Sequence, residues 1–320
     1  MNKILITGAL GHIGSKLIHS IKPGEFEVVN LIDNMLTQRY ASLFNLPNGI
    51  NFKFYEEDIL KADLDVLLDG VDCVIHLAAI TDAAGSFNRR DEIEKVNYDG
   101  TKRVAEACIE TGTKLLFPST TSVYGSQSEQ VDETCPIEEL QPQSPYAEYK
   151  LKSEQMLQEM GKKQGLQFIT CRFGTIFGTS IGMRFHTAVN KFCWQAVMGQ
   201  PLTVWKTAMD QKRPYLGVKD AVRSINFIIE QELFDGEIYN IVSSNNTFRD
   251  IIDAIRESIP TLKIKLVDSE IMNQLSYEVL SDKIRKIGYS SVNKINKGIA
   301  ETINLFMFNG GKSIEEKAVG

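Results

Sequence analysis

The opening of the chain constrains its fold more than any other stretch. Ile4-Leu5-Ile6, in a strand from Lys3 to Thr7, is a short apolar run that leads into Thr7-Gly8-Ala9-Leu10-Gly11-His12-Ile13-Gly14 and then a helical pattern. A buried strand that turns through three glycines into a helix is the first step of a parallel sheet. The helix carries the chain back so that the next strand runs in the same direction. Val28–Ile32, Phe52–Phe54, Cys73–Leu77 and Lys114–Phe117 repeat the strand signal, with helical patterns at 12–21, 38–45, 61–68 and 90–111 between them. A helix over Tyr146–Lys162 and a strand over Gln167–Phe173 extend the series. Strand–helix alternation of this kind implies a sheet covered on both faces.

The rhythm changes beyond residue 174. Helical patterns at Phe185–Met198, 219–231, 248–257, 282–287 and 294–308 surround short segments at Leu202–Trp205 and Pro214–Val218. Gly236–Val242 still reads as a buried strand. The expected fold class is therefore α/β: a Rossmann-type doubly wound parallel sheet with a smaller C-terminal α/β lobe. Residues 1–174 form the nucleotide-binding domain, its sheet completed by the strand near 236–242, and 175–308 are mainly a substrate lobe. The polar, Gly-containing stretch 309–320 is expected to be a frayed tail.

Gly8, Gly11 and Gly14 sit where the first strand meets the first helix, the place of a dinucleotide's pyrophosphate. The spacing is G-x-x-G-x-x-G, which a simple tight turn would also explain. Asp33, at the end of the second strand and 19 residues past Gly14, adds an acidic group able to accept hydrogen bonds from an adenosine ribose. A carboxylate there repels a 2′-phosphate and favours NAD over NADP, although Arg39 lies nearby. The Asp33-Asn34 pair is equally the chemistry of a turn after a strand.

Tyr146 and Lys150 stand four residues apart, on one face of the expected helix. An ammonium beside a phenol favours the phenolate and would let a group with an ordinary pKa of about 10 act as a base nearer neutrality. Glycine turn and Tyr-x-x-x-Lys pair, in this order, point to proton and hydride transfer on an alcohol.

The balance of charge excludes some partners. With a net charge of −6 and a pI near 5.4 there is no electrostatic footprint for nucleic acid. Cys73, Cys108, Cys135, Cys171 and Cys193 are dispersed, without metal-ligand spacing, as in a reduced cytoplasmic protein. No apolar run reaches the ~18 residues of a membrane span, and a strand begins too early to leave room for a signal peptide. No metal site is expected.

Read together, these residues resemble the extended short-chain dehydrogenase/reductase family, specifically its nucleotide-sugar epimerases and dehydratases. The motifs run from TGALGHIG through LIDN (ending at Asn34), EEDIL around Asp58, HLAA (His76–Ala79) and VNYDGT around Asn97. They continue with STTSVYG (Ser119–Gly125), PYAEYK (Pro145–Lys150), RFGTIFG (Arg172–Gly178) and RPYLGVKDA (Arg213–Ala221). The resemblance implies NAD held by the glycine turn with its His12 and Ile13, by Asp33 and Asn34, and by Asp58 and Ile59 at the adenine. Leu77, Ala78 and Ala79 would line the cofactor path, and Asn97 would support the helix beside the active site. It implies Thr120 as the hydroxyl that binds the reacting alcohol, Tyr146 as general base and Lys150 on the nicotinamide ribose. Arg213 resembles an arginine that faces a sugar-nucleotide phosphate. Thr175 stands where the family has a substrate-contacting Asn, and Arg184 and Asn190 are candidate phosphate or sugar contacts. A second phosphate-binding arginine has no clear counterpart; Lys263 and Lys265 fall in that region but equally suit a solvated strand edge. The side chains of His12, His19, His76 and His186 read as structural.

The residues after Thr120 bear on the reaction. Family dehydratases place an acid there that removes a proton beside a transient ketone, whereas this chain has Thr121 and Ser122. A hydroxyl is a poor base beside a carboxylate, which titrates near ~4. The expectation is an NAD-dependent epimerase acting on a nucleotide sugar, a UDP-sugar being favoured, with Thr121 near the substrate. Epimerisation is expected at C4 through a transient keto-sugar, with hydride returned to its opposite face. A keto-sugar reductase, a 4,6-dehydratase and a non-catalytic nucleotide binder are the alternatives. A cytoplasmic homodimer, packed through the helices at 90–111 and 146–162, is the family-level expectation.

Overall fold

The computed structural model describes residues 1–83, 85–125, 130–268 and 276–307; the tail expected at 309–320 lies outside the described residues. Seven parallel strands form the main sheet: β1 (Lys3–Thr7), β2 (Val28–Asp33), β3 (Asn51–Glu56), β4 (Cys73–His76), β5 (Lys114–Thr120), β6 (Phe168–Phe173) and β7 (Ile238–Ile241). Their order across the sheet is β7-β6-β5-β4-β1-β2-β3, with Ile4 opposite Val29 on one side and Cys73 on the other. The chain therefore winds outward from β1 to β3, then returns to lay β4 on the other side of β1. That reversal opens a crevice at the carboxyl ends of β1 and β4, where ligands of doubly wound sheets bind.

Side-chain alternation along each strand divides the core into two layers. Ile4, Ile6, Val29 and Leu31 pack with Leu17 and Ile18 of the helix His12–Ile18. Leu5, Val74, Leu115 and Phe117 pack on the other face with Val104 and Cys108 of Gly100–Thr111 and Leu157 of Pro145–Gln164. The pattern expected at 90–111 is one run of helix, Arg90–Ile93 and Gly100–Thr111, joined by a π-helical stretch, Glu94–Asp99.

A separate cluster, including Phe177, Val189, Phe192, Leu202, Ile251 and Ile299, forms the core of the smaller lobe. Two small sheets accompany it: Thr175–Phe177, Arg213–Gly217 and Ser244–Asn246 in one, Leu202–Trp205 with Ile264–Val267 in the other. The helix Val218–Glu230 falls within the stretch assigned mainly to this lobe but packs elsewhere. Its Ala221, Val222, Ile225 and Ile228 join the main-sheet layer that holds Leu17 and Ile18, against the helix His12–Ile18. Its apolar face matches that layer, so the two lobes interleave along the chain. The helix expected over Phe185–Met198 runs only from Ala188 to Val197, the residues before it forming a loop. Among the described residues, no helix is long and apolar enough to cross a membrane.

Candidate active site

The crevice at the β1–β4 reversal opens into a cleft of about 630 Å³. It is bordered by the glycine turn, the ends of β2, β4 and β5, the start of Pro145–Gln164 and the loop leading into Ala188–Val197. At the cofactor end the glycines are required by space as much as by backbone angle. Gly8 has φ +63°, and a Cβ there would lie 2.6 Å from the Ala78 backbone nitrogen. A Cβ on Gly14 would lie 2.5 Å from the Ala9 carbonyl oxygen. Both distances are shorter than van der Waals contact, so only glycine lets the turn pack this closely on itself and on the loop after β4.

The ends of β2 and β3 form the far wall. Asp33 accepts hydrogen bonds from the Leu10 N–H (3.1 Å) and the Met35 N–H (3.0 Å), so one carboxylate ties the glycine turn to the end of β2. Asn34 donates to Asp58 (3.2 Å), and Asp58 accepts from the Leu60 N–H (2.9 Å), which joins β2 to β3 above Ile59. Asp33, Asn34, Asp58, Ile59, Leu77, Ala78 and Ala79 all line the cleft with Gly8, Gly11, His12, Ile13 and Gly14. A groove free of side chains, a carboxylate at the ribose position and an apolar pocket beyond it fit a dinucleotide such as NAD.

At the other end the reacting groups converge from two elements. Thr120 ends β5 and Tyr146 opens Pro145–Gln164, so strand and helix deliver the two hydroxyls to one point, where they hydrogen bond. Ser144 caps the helix by accepting from the Ala147 N–H (3.3 Å), and Pro145 occupies its first turn, which fixes the entry angle. Lys150 lies one turn further on, buried, donating to the Pro118 carbonyl (2.8 Å) with its ammonium 4.4 Å from the centre of the Phe117 ring. Burial pushes Lys150 down to about 7, opposed by Glu154 one turn beyond.

The electrostatics around Tyr146 differ from the sequence argument. Burial raises its pKa, and Arg184 together with the Thr120 hydrogen bond draws it back down. The cation that favours the phenolate is Arg184 from the smaller lobe, because Lys150 bends back onto the end of β5.

Thr120, Tyr146, Lys150, Thr175 and Arg184 thus share the cleft with the glycine turn. Four other candidates are not on its lining. Thr121 sits in the tight turn after β5 and donates to the Phe173 carbonyl (3.3 Å), buried away from the cleft. Asn190, with no exposed surface, accepts from the Gly178 N–H (3.0 Å) and donates to the Arg184 carbonyl (3.2 Å). Asn97, also buried, exchanges two 2.8 Å hydrogen bonds with the Ile80 backbone and so braces the loop after β4. Arg213 interacts with Gln211 and lies 5.9 Å from the centre of the Tyr277 ring. For the first three the polar groups already bind the backbone, so they shape the cleft without facing it.

Thr81, Asp82, Ser122, His186 and Trp205 line the cleft and were not singled out as ligands by sequence. Thr81 and Asp82 follow the HLAA stretch after Ile80, and reading three residues further finds them. His186 differs from the other histidines. His12 bonds the Gly178 carbonyl (2.9 Å), His19 the Ser42 carbonyl (2.9 Å), and His76 the Thr7 and Thr101 hydroxyls (2.8 and 3.1 Å). Burial pushes His12 and His76 down to about 3, so both are neutral at neutral pH. Among the described residues, no group of three or more His, Cys, Asp or Glu could hold a metal ion.

A model of the NAD dependent epimerase/dehydratase family matches residues 4–242. An uncharacterized UDP-glucose epimerase of Bacillus subtilis (strain 168) is 33% identical over 246 residues, covering 75% of this chain and 76% of that protein. A trifunctional UDP-glucose 4,6-dehydratase/UDP-4-keto-6-deoxy-D-glucose 3,5-epimerase/UDP-4-keto-L-rhamnose-reductase of Arabidopsis thaliana is 29% identical over 322 residues. That match covers 96% of this chain but 47% of the plant enzyme, so the chain spans about half the length of that relative. Among solved structures, UDP-glucuronic acid 4-epimerase from Bacillus cereus, in complex with UDP-glucuronic acid and NAD, has a TM-score of 0.85 at 27% identity. The superposition covers 94% of this chain and 98% of that one.

Proposed function

The chain belongs to the NAD dependent epimerase/dehydratase family, and from that premise we propose that it is a nucleotide-sugar 4-epimerase acting on a UDP-sugar. The observation that carries this reading is the meeting of Thr120, Tyr146 and Lys150 beside the dinucleotide groove, followed by the hydroxyls of Thr121 and Ser122 rather than a carboxylate. Relatives that bind or act on UDP-sugars support the choice of nucleotide.

NAD, when bound, supplies a reversible hydride acceptor; the protein's part is positioning and proton transfer. Tyr146 takes the proton of the sugar hydroxyl at its phenolic oxygen and gives it back at the end of the cycle. The Thr120 hydroxyl, hydrogen-bonded to Tyr146, sets the direction of that transfer. Lys150 presents its ammonium at the end of β5, where the nicotinamide ribose would lie. Gly8 and Gly14 let the turn pack tightly at the pyrophosphate end of the cleft, and Asp33, Asn34, Asp58 and Ile59 hold the adenosine end. Thr175, on the cleft lining, offers the sugar a hydroxyl where the family has an amide.

Proton NMR of the purified protein with UDP-, GDP-, dTDP- and CDP-sugars, no cofactor added, tests the assignment. The expected result is a new anomeric signal from an isomer of a UDP-sugar. Conversion of the C6 hydroxymethyl signals to those of a 6-deoxy-4-keto product would identify a dehydratase instead. Asp82, a carboxylate on the cleft lining near Arg184, would then be its acid/base group. Turnover only after a keto-sugar and reduced nicotinamide are supplied would mean a reductase.

The same reading carries a cytoplasmic homodimer without nucleic-acid or membrane partners. Residues 90–111 and Pro145–Gln164 lie side by side, as a four-helix interface requires, but their exposed side is charged, with Lys102, Lys152, Glu159 and Lys163 among its residues. A dimer built there is held by ion pairs and is expected to loosen with salt. Sedimentation at low and high ionic strength measures this, and a salt-independent monomer would remove the dimer from the proposal.

A further inference from the structure

Three buried polar atoms without a hydrogen-bond partner lie on one short stretch of chain: Ser180 Oγ, Arg184 Nε and Thr187 Oγ1. The stretch leads from the strand Thr175–Phe177 to the helix Ala188–Val197, and it is pressed against the glycine turn. The His12 ring bonds the Gly178 carbonyl (2.9 Å), and the Gly182 N–H donates to the Ser15 hydroxyl (2.9 Å). A Cβ on Gly182 would lie 2.3 Å from the Leu10 carbonyl oxygen and 2.6 Å from that of Gly11, so only glycine permits this approach. The buried amide of Asn190 holds both ends of the loop, through Gly178 and the Arg184 carbonyl.

The loop carries Arg184 to a definite place. Its guanidinium donates to the Thr81 hydroxyl, just beyond the end of β4, and interacts electrostatically with Tyr146, Asp82 and Arg39. It therefore stands across the crevice between the glycine turn and the β4 end, where the pyrophosphate of a dinucleotide lies in a doubly wound sheet. Arg39 on the same wall adds like charge, His12 beneath is neutral, and Asp82 is the carboxylate that faces Arg184. Two adjacent guanidinium groups, one with an unpartnered Nε, call for an anion with several acceptor oxygens, and a diphosphate matches a guanidinium fork.

We propose that Arg184 clamps the pyrophosphate of NAD from the smaller lobe, opposite the glycine turn, and that the strapped loop 178–187 holds it there. Cofactor retention is then a property of both lobes rather than of the nucleotide-binding lobe alone. The proposal rests on the assignment of the cleft to NAD made above. It moves Arg184 from a substrate contact to a cofactor contact that also faces Tyr146.

Calorimetric titration with NAD and, separately, with UDP distinguishes the possibilities, using full-length wild type, Arg184→Ala, Arg184→Gln and Arg184→Lys stripped of bound nucleotide. The expected result is NAD affinity about tenfold or more weaker in Arg184→Ala and Arg184→Gln, as for loss of a hydrogen bond to a charged group. Arg184→Lys should recover part of it, UDP affinity should be unchanged, and the salt dependence of NAD binding should flatten in Arg184→Ala. Melting without nucleotide controls for folding, and relative to that baseline the shift produced by NAD should shrink. Undiminished NAD affinity in both neutral variants, or a loss confined to UDP, overturns the clamp while leaving the cofactor site standing. Failure of the wild type to bind NAD overturns both.

Discussion

Replacing Tyr146 by Phe should lower turnover by about a hundredfold to ten-thousandfold, the contribution of a positioned general base, while leaving the fold unchanged. The side chain is only partly buried and its hydroxyl bonds Thr120 rather than a core group, so its removal orphans nothing in the interior. Circular dichroism, melting temperature and NAD content should match the wild type, and kcat should fall with little change in KM. Thr120→Val should have a smaller effect in the same direction, since Thr120 orients the transfer without accepting the proton. A Tyr146→Phe enzyme that turns over at the wild-type rate would displace Tyr146 from the base role. The pH profile carries a second signature. Arg184 favours the phenolate, so its loss should move the alkaline-rising limb of kcat upward in pH.

The largest expected effect on stability lies behind the site, at Glu154 and Arg172. The two form a bidentate pair, Arg172 donating from Nη2 at 2.7 Å and from Nε at 3.1 Å, with side chains 2% and 3% exposed. Arg172 also stacks 4.8 Å from the centre of the Tyr124 ring, whose hydroxyl donates to Asn240 (2.8 Å) on β7. The pair thus pins the helix Pro145–Gln164 to β6 and, through Tyr124, to β7. Glu154→Gln removes the negative charge and leaves a buried guanidinium without compensation, which costs about 3–5 kcal/mol. Urea denaturation should show the unfolding free energy falling by that amount, and Glu154→Leu combined with Arg172→Met should regain most of it. Equal stability in the single and double variants would mean that the pair is not the anchor.

The same substitution reaches the active site through Lys150. Glu154 opposes the burial that pushes Lys150 down to about 7, so Glu154→Gln lowers it further and neutralises the ammonium at lower pH. Because the folded protein holds this proton less tightly than the unfolded chain, whose lysines titrate near ~10.4, burying Lys150 costs stability at and below about pH 7. That cost is relieved as pH rises from about 7 toward the unfolded value. Lys150→Met should therefore flatten the rise in stability between neutral and alkaline pH, which equilibrium unfolding across that range measures.

The elements legible from sequence are those whose cause is local. The strands β1, β2, β4 and β5 are readable because each is a short, mostly apolar run, and Gly8 and Gly14 because only glycine tolerates the backbone that passes them. The Tyr146–Lys150 face followed from helical periodicity alone. Local pattern failed where the deciding contact is distant. Nothing in Val218–Glu230 says that its apolar stripe joins the main-sheet layer beside His12–Ile18 rather than the core of the smaller lobe; an amphipathic helix reads alike against either. Lys150 was expected to act on the phenol of Tyr146, yet Pro118, 32 residues earlier, takes its ammonium. Thr121 and Asn190 carry polar groups suited to a ligand, but backbone brought in by folding already satisfies them. The sheet, the glycine turn and the shared face of Tyr146 and Lys150 can be read along the chain, since spacing and steric limits act over a few residues. Which side chains face the cleft, and that Arg184 crosses from the second lobe to the glycine turn, follow only from the folded arrangement. Those outcomes depend on burial and on partners far apart in the chain.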